Sequence, residues 1–493
     1  MYRRLLLILL TNILCVNLHA QDVPQVTVFL PNPPKPESDL FICDNYLYTD
    51  GKAQRSTERG NQAKGDMVWE LNDYLPLYAD IMGISVSAIK SSNIYSLLDY
   101  GDRYGRLSIE AAVKSYSRER PYVYFNESSL LPELEDLHRD ESSYPAFQSC
   151  LGWLYALLLA EVCPDKMNTI LQRGVDFGPS TVISGFNFDS DAYAGYLLGS
   201  AILSRLHTHS GFDGLLSYAQ ADYKRLSKAS TRADDDTYLA YEELPNSVIY
   251  LPVPPTVNSA KYTYDLAKYE EGKSLRRTRS GIRAIEDVEY STDNFCRIYS
   301  EVLGVTINAS KTPEIYELVS RVHPLGNAAT QMAKAYYMRK RPYVEMGEHT
   351  SYTPDEASLS ETGSYPSGHA SGSWLMALVF SEVARTQQDA LLARAYTFGQ
   401  GRVITGYHWQ TDVDYGRLVG SAVYAILHTD KDFVSQMERA VREYKNLYTA
   451  IPSVKQQDDE ADDAPIYTLQ GVRLKGTPSR RGIYIKGNKK IAY

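Results

Sequence analysis

Residues 365–383 read YPSGHASGSWLMALVFSEV, a turn followed by a strongly apolar stretch. The apolar part predicts a helix buried in a core. Pro366 is suited to the first helical position, where a missing N–H is tolerated. Ser367 and Gly368 would then offer free backbone N–H groups at the positive helix end, which makes an anion site with His369 beside it. A helix cap with an incidental histidine also explains this segment when it is taken alone.

A second informative segment lies downstream, where residues 401–412 read GRVITGYHWQTD. His408 and Asp412 are four positions apart on a predicted helix, so their side chains should meet. Asp412 can accept the proton of one ring nitrogen, which fixes the tautomer and leaves the other nitrogen as a nucleophile. Arg402 would supply a bidentate fork for phosphate oxygens.

A third segment lies upstream and carries two cations, Lys334 and Arg341. Their spacing of about two turns predicts that they share one face of a helix, which Pro342 then stops. Such a face can clamp a phosphoryl group. A solvated basic face is the commoner origin of this pattern.

The sequence also repeats itself. Leu30-Pro31 recurs as Leu251-Pro252, 221 positions later (251 − 30). The same offset aligns Arg120-Pro-Tyr-Val with Arg341-Pro-Tyr-Val, and it pairs many single residues, among them Asp44 with Asp265, Trp153 with Trp374, Gly185 with Gly406 and Asp191 with Asp412. Apolar residues recur at helical spacing and period-two alternation is scarce. We therefore predict an all-α protein made of two tandem helical bundles.

The predicted boundaries follow from composition. Arg3 and Arg4, the apolar run after them and Ala20 are typical of a secretory signal peptide. A polar stretch separates the two copies, an acidic run follows the second, and the C-terminal end has short strand patterns. In chain order we predict a signal peptide at 1–20, a first bundle at 21–227, a linker at 228–245, a second bundle at 246–450, an acidic linker at 451–464 and a short β-rich tail at 465–493.

Charge and cysteine content narrow the function classes. The net charge of −9 gives no sign of nucleic-acid or anionic-membrane binding. No stretch after the signal reaches the ~18 apolar residues of a spanning helix, so we expect an exported protein, periplasmic or at the cell surface or secreted. Removing the signal leaves four cysteines, whose three alternative pairings and a set of buried free thiols all remain open.

The three segments resemble the signature of the type 2 phosphatidic acid phosphatase and vanadium haloperoxidase superfamily: Lys-x6-Arg-Pro, Pro-Ser-Gly-His and Ser-Arg-x5-His-x3-Asp. The run from Gly406 to Asp414 and the proline-rich segment from Leu251 to Pro255 are similar to the class A bacterial nonspecific acid phosphatases. The resemblance covers both copies. One departure is Gly401, where the family has serine; this removes a hydroxyl contact to phosphate. The tail resembles C-terminal sorting tails of the type IX export system.

The resemblance implies an exported acid phosphatase that hydrolyses phosphomonoesters through a phosphohistidine intermediate, without metal or cofactor. His408 would attack phosphorus, and Asp412 would orient it. His369 would protonate the leaving oxygen and then activate water. The phosphoryl oxygens would be bound by Lys334, Arg341, Ser367, Gly368 and Arg402.

The same residues leave three other functions open. His369, His408 and Asp412 are residue types that bind zinc, but three cations around the same point would repel a divalent metal. A vanadate-dependent haloperoxidase is a second alternative, against which the phosphatase-like surroundings of His408 argue. A phospholigand-binding protein without turnover is the third.

The first copy lacks most of the site. At the offset of 221, the positions of the two histidines are held by Gln148 and Asn187, and those of Lys334, Ser367, Gly368 and Arg402 by Val113, Ala146, Phe147 and Thr181. Arg120 and Asp191 keep their types. We predict that the first copy is inactive and supports the second one structurally; a ligand in its old pocket is the alternative. The repeat could form an intramolecular pseudo-dimer, or two chains could pair as a homodimer.

Overall fold

The computed structural model describes residues 23–227, 239–450, 466–468, 483–486 and 489–492. The predicted signal peptide, the acidic linker and most of the first linker lie outside these residues. The described residues through Tyr444 form one compact unit, and those from Lys445 onward belong to a second.

Nearly all regular structure is helical, which confirms the all-α prediction. The first half contains α1 (Val26–Phe29), α2 (Asp39–Ala53), α3 (Glu58–Asp66), α4 (Leu71–Met82), α5 (Val86–Lys90), α6 (Asn93–Val113), α7 (Pro121–Tyr124), α8 (Pro132–His138), α9 (Phe147–Val162), α10 (Met167–Ser184), α11 (Asp189–His207) and α12 (Phe212–Ser227). Short 3₁₀ turns lie at Pro164–Lys166, between α9 and α10, and at Tyr241–Glu243, after α12.

The second half has helices in a similar order. They are α13 (Ser247–Tyr250), α14 (Ala260–Leu275), α15 (Arg279–Glu286), α16 (Thr292–Leu303), α17 (Pro313–Ala328), α18 (Gln331–Tyr337), α19 (Pro342–Met346), α20 (Glu356–Leu359), α21 (Gly368–Val383), α22 (Gln388–Thr405), α23 (Gln410–Leu427) and α24 (Lys431–Ala450), with 3₁₀ turns at Thr353–Asp355 and Arg385–Gln387. In the tail, β1 (Ile466–Thr468), β2 (Ile483–Lys486) and β3 (Lys489–Ala492) pair antiparallel in that order.

Backbone features recur at the 221-residue offset. Cis peptide bonds precede Pro145 and Pro366, just before α9 and α21. Gly185 and Gly406 end α10 and α22 in the left-handed conformation, with φ of 92° and 91°, which only glycine adopts at little cost.

The helices α9 and α21 form the centre of the core because they are apolar on almost every side. Their tryptophans make matching bonds: Trp153 Nε1 donates to Ser200 Oγ and Trp374 Nε1 donates to Ser421 Oγ, both at 3.0 Å. The helix α23 crosses α21 closely at Gly420, where a Cβ atom would stand 2.4 Å from the Ser371 carbonyl oxygen.

The two halves share one continuous hydrophobic core. Across their interface, Ser204 Oγ donates to the Leu378 carbonyl at 3.0 Å and Gln388 Nε2 donates to the Ala201 carbonyl at 2.9 Å. The rings of His207 and His428 stack at a centroid distance of 3.6 Å. The helix α11 is thereby held to α21 and α22 by polar as well as apolar contacts.

The described part of the chain shows the state of the cysteines and whether any helix could span a membrane. Cys43, Cys150, Cys163 and Cys296 are all buried and free, which is the thiol alternative. No described helix is both long enough and apolar enough to cross a bilayer.

Candidate active site

Residues from all three sequence segments line one cavity of about 280 Å³ in the second half. We call it the cationic pocket. Of the predicted site residues, its lining includes Lys334, Arg341, Gly368, His369, Arg402 and His408; sequence reasoning missed Tyr290, Asn327, Gln331, Leu359 and Thr362.

Lys334 and Arg341 reach the pocket from different elements. The helix α18 ends at Tyr337, Met338 has a positive φ of 44°, and Arg341 is the N-cap of α19. The predicted shared helix face is therefore wrong: the residue before a proline is disfavoured in the α conformation, and Pro342 sits in the first turn of α19. Lys334 Nζ donates to the carbonyls of Gly363 (3.2 Å) and Ser364 (3.3 Å), so the two cations converge through tertiary contacts.

The turn before α21 also differs from the prediction. Pro366 follows a cis peptide bond and precedes the N-cap Ser367, and α21 begins at Gly368. The Ser367 N–H is not free, because it donates to the Asp412 carbonyl at 2.7 Å. Ser367 is fully buried and does not line the pocket, whereas Gly368 does.

Gly368 allows a close approach at the pocket wall. A Cβ atom at this position would stand 2.0 Å from Asn327 Oδ1, so no other residue fits without displacing Asn327. The N–H groups of the first helical turn have no helix carbonyl to bond. The Ala370 N–H donates to Ser367 Oγ at 3.4 Å, whereas within the described residues those of Gly368 and His369 are left for an anion at the positive end of α21.

Arg402 is a buried cation, and some of its hydrogen-bond donors have no acceptor in the described part of the chain. It is 2% exposed, lies over the Tyr407 ring at 4.5 Å, and its Nε and Nη1 have no partner among the described residues. Burial, and next the nearby Arg341, lower its pKa to about 10. A buried charge without partners is costly, and an anion bound next to this guanidinium would relieve that cost.

The other groups of the pocket follow the same electrostatics. Burial lowers the pKa of Lys334 well below its usual value, and Arg341 and Arg402 lower it further. A bound anion would offset this repulsion and favour the charged lysine.

His408 lies in the turn between α22 and α23, not on a helix as predicted. Its contact with Asp412 nevertheless forms, with Nδ1 3.3 Å from Oδ2, because Asp412 turns back to cap the Trp409 N–H at 2.9 Å. Arg341 Nη1 stands 3.2 Å from His408 Nε2 and can donate to it. The carboxylate thus assigns the proton to Nδ1 and leaves Nε2 as a lone-pair nitrogen facing the pocket cations.

The protonation of this pair is set by its surroundings. Burial raises the pKa of Asp412, but Arg339 and His408 more than offset it and bring the value down to about 2. Burial lowers the pKa of His408 well below its usual value; Asp412 opposes this, and Arg341 and Lys334 reinforce it. Both shifts act in the same sense: they favour an ionised Asp412 beside a neutral His408.

His369 stands at the start of α21 on the pocket wall. Its Nε2 donates to the Val288 carbonyl at 2.9 Å, and the Tyr290 ring packs edge-on at a centroid distance of 5.0 Å. Since Nε2 carries this proton, Nδ1 is the nitrogen that can exchange one. Burial, followed by Arg402, lowers the pKa of His369 well below its usual value.

The residues that sequence reasoning missed form the pocket rim. Gln331 Nε2 donates to Asn327 Oδ1 at 3.2 Å, and Tyr290 OH donates to the His323 carbonyl at 2.6 Å. Asn327 and Gln331 precede Lys334 by seven and three positions, a spacing that could have suggested a common location. Tyr290 carried no local signal. Gly401 faces Ala284, whose Cβ would be 3.3 Å from a Cβ at position 401.

In the equivalent region of the first half, an arginine makes the same hydrogen bonds, although the groups that line the pocket are replaced. Arg120 donates to the carbonyls of His138 (2.9 Å) and Phe186 (3.2 Å), just as Arg341 donates to those of Leu359 (3.0 Å) and Tyr407 (3.2 Å), the residues 221 positions later.

Aromatic and amide groups occupy the positions of the pocket groups in the first half. Asn187, at the position of His408, donates to the Ser143 carbonyl at 2.6 Å. Trp69 stacks on His138 at 4.6 Å, and Arg106 lies over Phe147 at 5.3 Å. Phe147 replaces the glycine that keeps the second pocket open.

Comparisons with known proteins agree with this geometry. Residues 323–434 match the PAP2 superfamily. The non-specific acid phosphatase of Providencia stuartii is 40% identical over 218 residues, which are 88% of that protein and 44% of this chain. That of Salmonella typhimurium is 41% identical over 206 residues (82% of that protein, 42% of this chain), and the acid phosphatase of Zymomonas mobilis is 29% identical over 203 residues (77% and 41%).

These similarities identify the chain as a phosphatase of the PAP2 superfamily, and its all-α fold is consistent with that class. Within it, the chain belongs to the bacterial non-specific acid phosphatase family.

Proposed function

We propose that residues 246–450 hydrolyse phosphomonoesters through a phosphohistidine intermediate on His408, without a metal ion. The observation that carries this proposal is the buried Arg402, whose guanidinium has unsatisfied nitrogens in the same pocket as Lys334, Arg341 and His408. Phosphoryl transfer requires mainly charge neutralisation and in-line positioning; the three cations are suited to the first, and their convergence on His408 supports the second.

Binding comes first. The phosphoryl oxygens accept hydrogen bonds from Arg402, Lys334 and Arg341 and from the N–H groups at the start of α21. The phosphate neutralises the mutual repulsion of the cations, which raises the proton affinity of Lys334 and His369. His369 therefore takes up a proton when the dianionic substrate arrives.

Bond exchange follows. His408 Nε2 attacks phosphorus as the P–O bond to the leaving group breaks, and His369 gives its proton to the departing oxygen. Asp412 stabilises the positive charge that develops on His408. In the second half-reaction His369 removes a proton from water, the resulting oxygen attacks phosphorus, and the P–N bond breaks to release phosphate and neutral His408.

The metal-free mechanism predicts that chelation has no effect. With excess EDTA between pH 4 and 8, the rate of hydrolysis of a chromogenic phosphomonoester should stay within about twofold of the untreated rate, because cationic side chains supply the charge stabilisation. A loss of activity that zinc or magnesium restores would refute the proposed mechanism.

For the first half, residues 21–227, we propose a structural role without catalysis. Its support is the aromatic packing of Trp69, His138 and Phe147 at the former pocket and the bonds that join α11 to α21 and α22. We propose that the two halves are copies of one bundle, on the grounds of their common helix order and repeated cis-proline and left-handed glycine positions.

We further propose that the protein is exported. The support is the basic and apolar start of the sequence ending at Ala20. Mass spectrometry of the protein from its native cell envelope or medium should find Gln21 as the first residue. An intact Met1 in the cytoplasmic fraction, with no protein elsewhere, would contradict this.

A further inference from the structure

The side chain of Arg339 holds the far side of the Asp412 carboxylate. Asp412 Oδ2 faces His408, while Arg339 Nη1 donates to Oδ1 at 2.7 Å. The other end of the guanidinium, Nη2, donates to Asp265 Oδ2 at 2.6 Å. Arg339 is nearly buried, and both carboxylates are fully buried. The cation therefore lies between two anions, one of which contacts the proposed nucleophile.

We call an arginine bonded to two buried aspartates in this way a clamp. The first half contains an equivalent clamp without a histidine nucleophile. Arg118 bonds Asp191, and its Nη2 donates to Asp44 at 2.6 Å. A hydroxyl joins each clamp: Arg118 Nη1 donates to Ser190 Oγ at 2.7 Å, and Arg339 Nη1 to Thr411 Oγ1 at 2.8 Å. The two clamps are thus chemically matched.

The two clamps differ in the residues that their aspartates, Asp191 and Asp412, contact. Asp191 caps the Phe188 N–H at 2.8 Å, as Asp412 caps the Trp409 N–H. Only Asp412 also contacts an imidazole, because the position of His408 is held by Asn187 in the first half. Any effect of the clamp on catalysis must therefore appear in the second half alone, whereas its effect on stability is common to both.

We propose that Arg339 is a positioning residue: it fixes Asp412 in the orientation that holds His408, and its positive charge limits the proton affinity of the His408–Asp412 pair. This inference rests on the proposed phosphohistidine mechanism and adds a residue outside the pocket to it.

Two physical effects support the proposal. The planar guanidinium of Arg339 bonds Asp412 through Nη1 and Asp265 through Nη2, so the distance and direction between the two carboxylates are fixed, which a single ammonium cannot do as well. The charge of Arg339 also opposes that of Asp412, so Asp412 draws a proton onto His408 less strongly. The other charged or titratable groups around His408 are Arg341, Lys334 and His369, with Arg402 next to His369. These groups disfavour the imidazolium when they are charged, whereas Asp412 favours it; Arg339 acts by offsetting the charge of Asp412.

The matched clamps allow a direct experiment. Arg339→Lys and Arg118→Lys are compared with the full-length wild type by thermal unfolding and by kcat and KM for one aryl phosphate. Both variants should lower the Tm to a similar extent. Arg339→Lys should reduce kcat at least about tenfold with KM changed less than about threefold, because a misplaced nucleophile costs rate while the phosphate-binding cations remain. Arg118→Lys should keep both constants within twofold.

A charge-removing variant tests the second effect. Arg339→Gln should move the acidic limb of the kcat/KM profile, measured from pH 3 to 8, upward by about one pH unit, since the imidazolium of His408 loses an unfavourable charge nearby. Using one substrate throughout cancels the ionisation of the substrate itself. If Arg339→Gln does not fold, Asp265→Asn with Asp44→Asn as its match loosens the far anchor, and only Asp265→Asn should reduce kcat.

The outcomes separate this inference from the proposed mechanism. Equal kinetic effects of the two lysine variants, or an Arg339→Lys enzyme with wild-type kcat and an unmoved pH profile for Arg339→Gln, would overturn the positioning role while the mechanism stands. An active His408→Ala protein would instead overturn the mechanism, whatever Arg339 does.

Discussion

Replacing His408 with alanine is expected to lower kcat by at least about 10³-fold, the scale seen when a covalent nucleophile is removed from an enzyme. His408 Nε2 is the nitrogen left unprotonated when Nδ1 donates to Asp412, and His408 lines the pocket with Arg402 and Lys334. Alanine keeps those cations, so phosphate should still bind. We expect inorganic phosphate to bind this variant in a direct binding titration even when turnover is lost, and no acid-labile phosphoprotein to accumulate in quenched reactions.

The chain provides its own control. Asn187 occupies the position of His408 in the first half, and Asn187→Ala removes its bond to the Ser143 carbonyl. This variant should lose some stability, because a buried carbonyl is left unpaired, and it should retain kcat within twofold. If His408→Ala keeps activity, or Asn187→Ala abolishes it in a folded protein, the assignment of catalysis to the second half is wrong.

The second large effect concerns a buried cluster between the two halves. His207 stacks on His428, and its ring nitrogens face Glu161 at 3.0 Å and Asp213 at 3.3 Å. His428 Nε2 lies 3.0 Å from Glu382. Although Glu161, His207 and His428 are close enough to hold a cation, the stacked rings direct their ring-plane lone pairs side by side and not toward one point. Hydrogen bonds to carboxylates are the arrangement that this geometry favours.

This cluster predicts a pH-dependent stability. Burial lowers the pKa of His207, but Glu161 and Asp213 more than offset it and raise the value to about 10. A histidine whose pKa is higher in the folded than in the unfolded state stabilises the fold fully below about pH 6.5, and this contribution disappears as pH rises to about 10. The free energy of unfolding should therefore fall by several kcal/mol across that window.

Urea denaturation at pH 6, 8 and 10 would check this. Relative to wild type, His207→Gln should be less stable at pH 6 and should show a flatter decline toward pH 10. His349→Gln, at a histidine whose side chain is 84% exposed, serves as the control and should follow the wild type. A wild-type stability that does not change from pH 6 to 10, or an equal slope in His207→Gln, would contradict the role of the cluster.

Much of the fold could be predicted because its signals are local or periodic. The apolar run after His369 does form the buried helix α21, and the 221-residue offset is followed by the helix order of both halves. The helix boundaries near the pocket could not be predicted in the same way. Met338 takes a left-handed conformation before Pro342, and the chain turns at Gly406 before His408. Lys334 and Arg341, and likewise His408 and Asp412, were each expected on one helix. In each pair the two residues come together through tertiary structure and not through helical spacing.

Other site features depend on residues that are distant in sequence. The Ser367 N–H is used by the carbonyl of Asp412, and Arg339 bridges Asp265 and Asp412, 74 and 73 positions away. Charge and spacing alone gave no reason to single out Arg339 from its neighbour Lys340. Only the packing of α14 and α23 on the segment between α18 and α19 shows which cation is buried.

The packing of α11 against α21 affects how the protein behaves at low concentration. Two separate subunits with such an interface would come apart as they are diluted, since their association depends on concentration. Here both partners are parts of one chain, so each remains at a high effective concentration near the other. The single polypeptide would thus keep its two halves together even at low concentration.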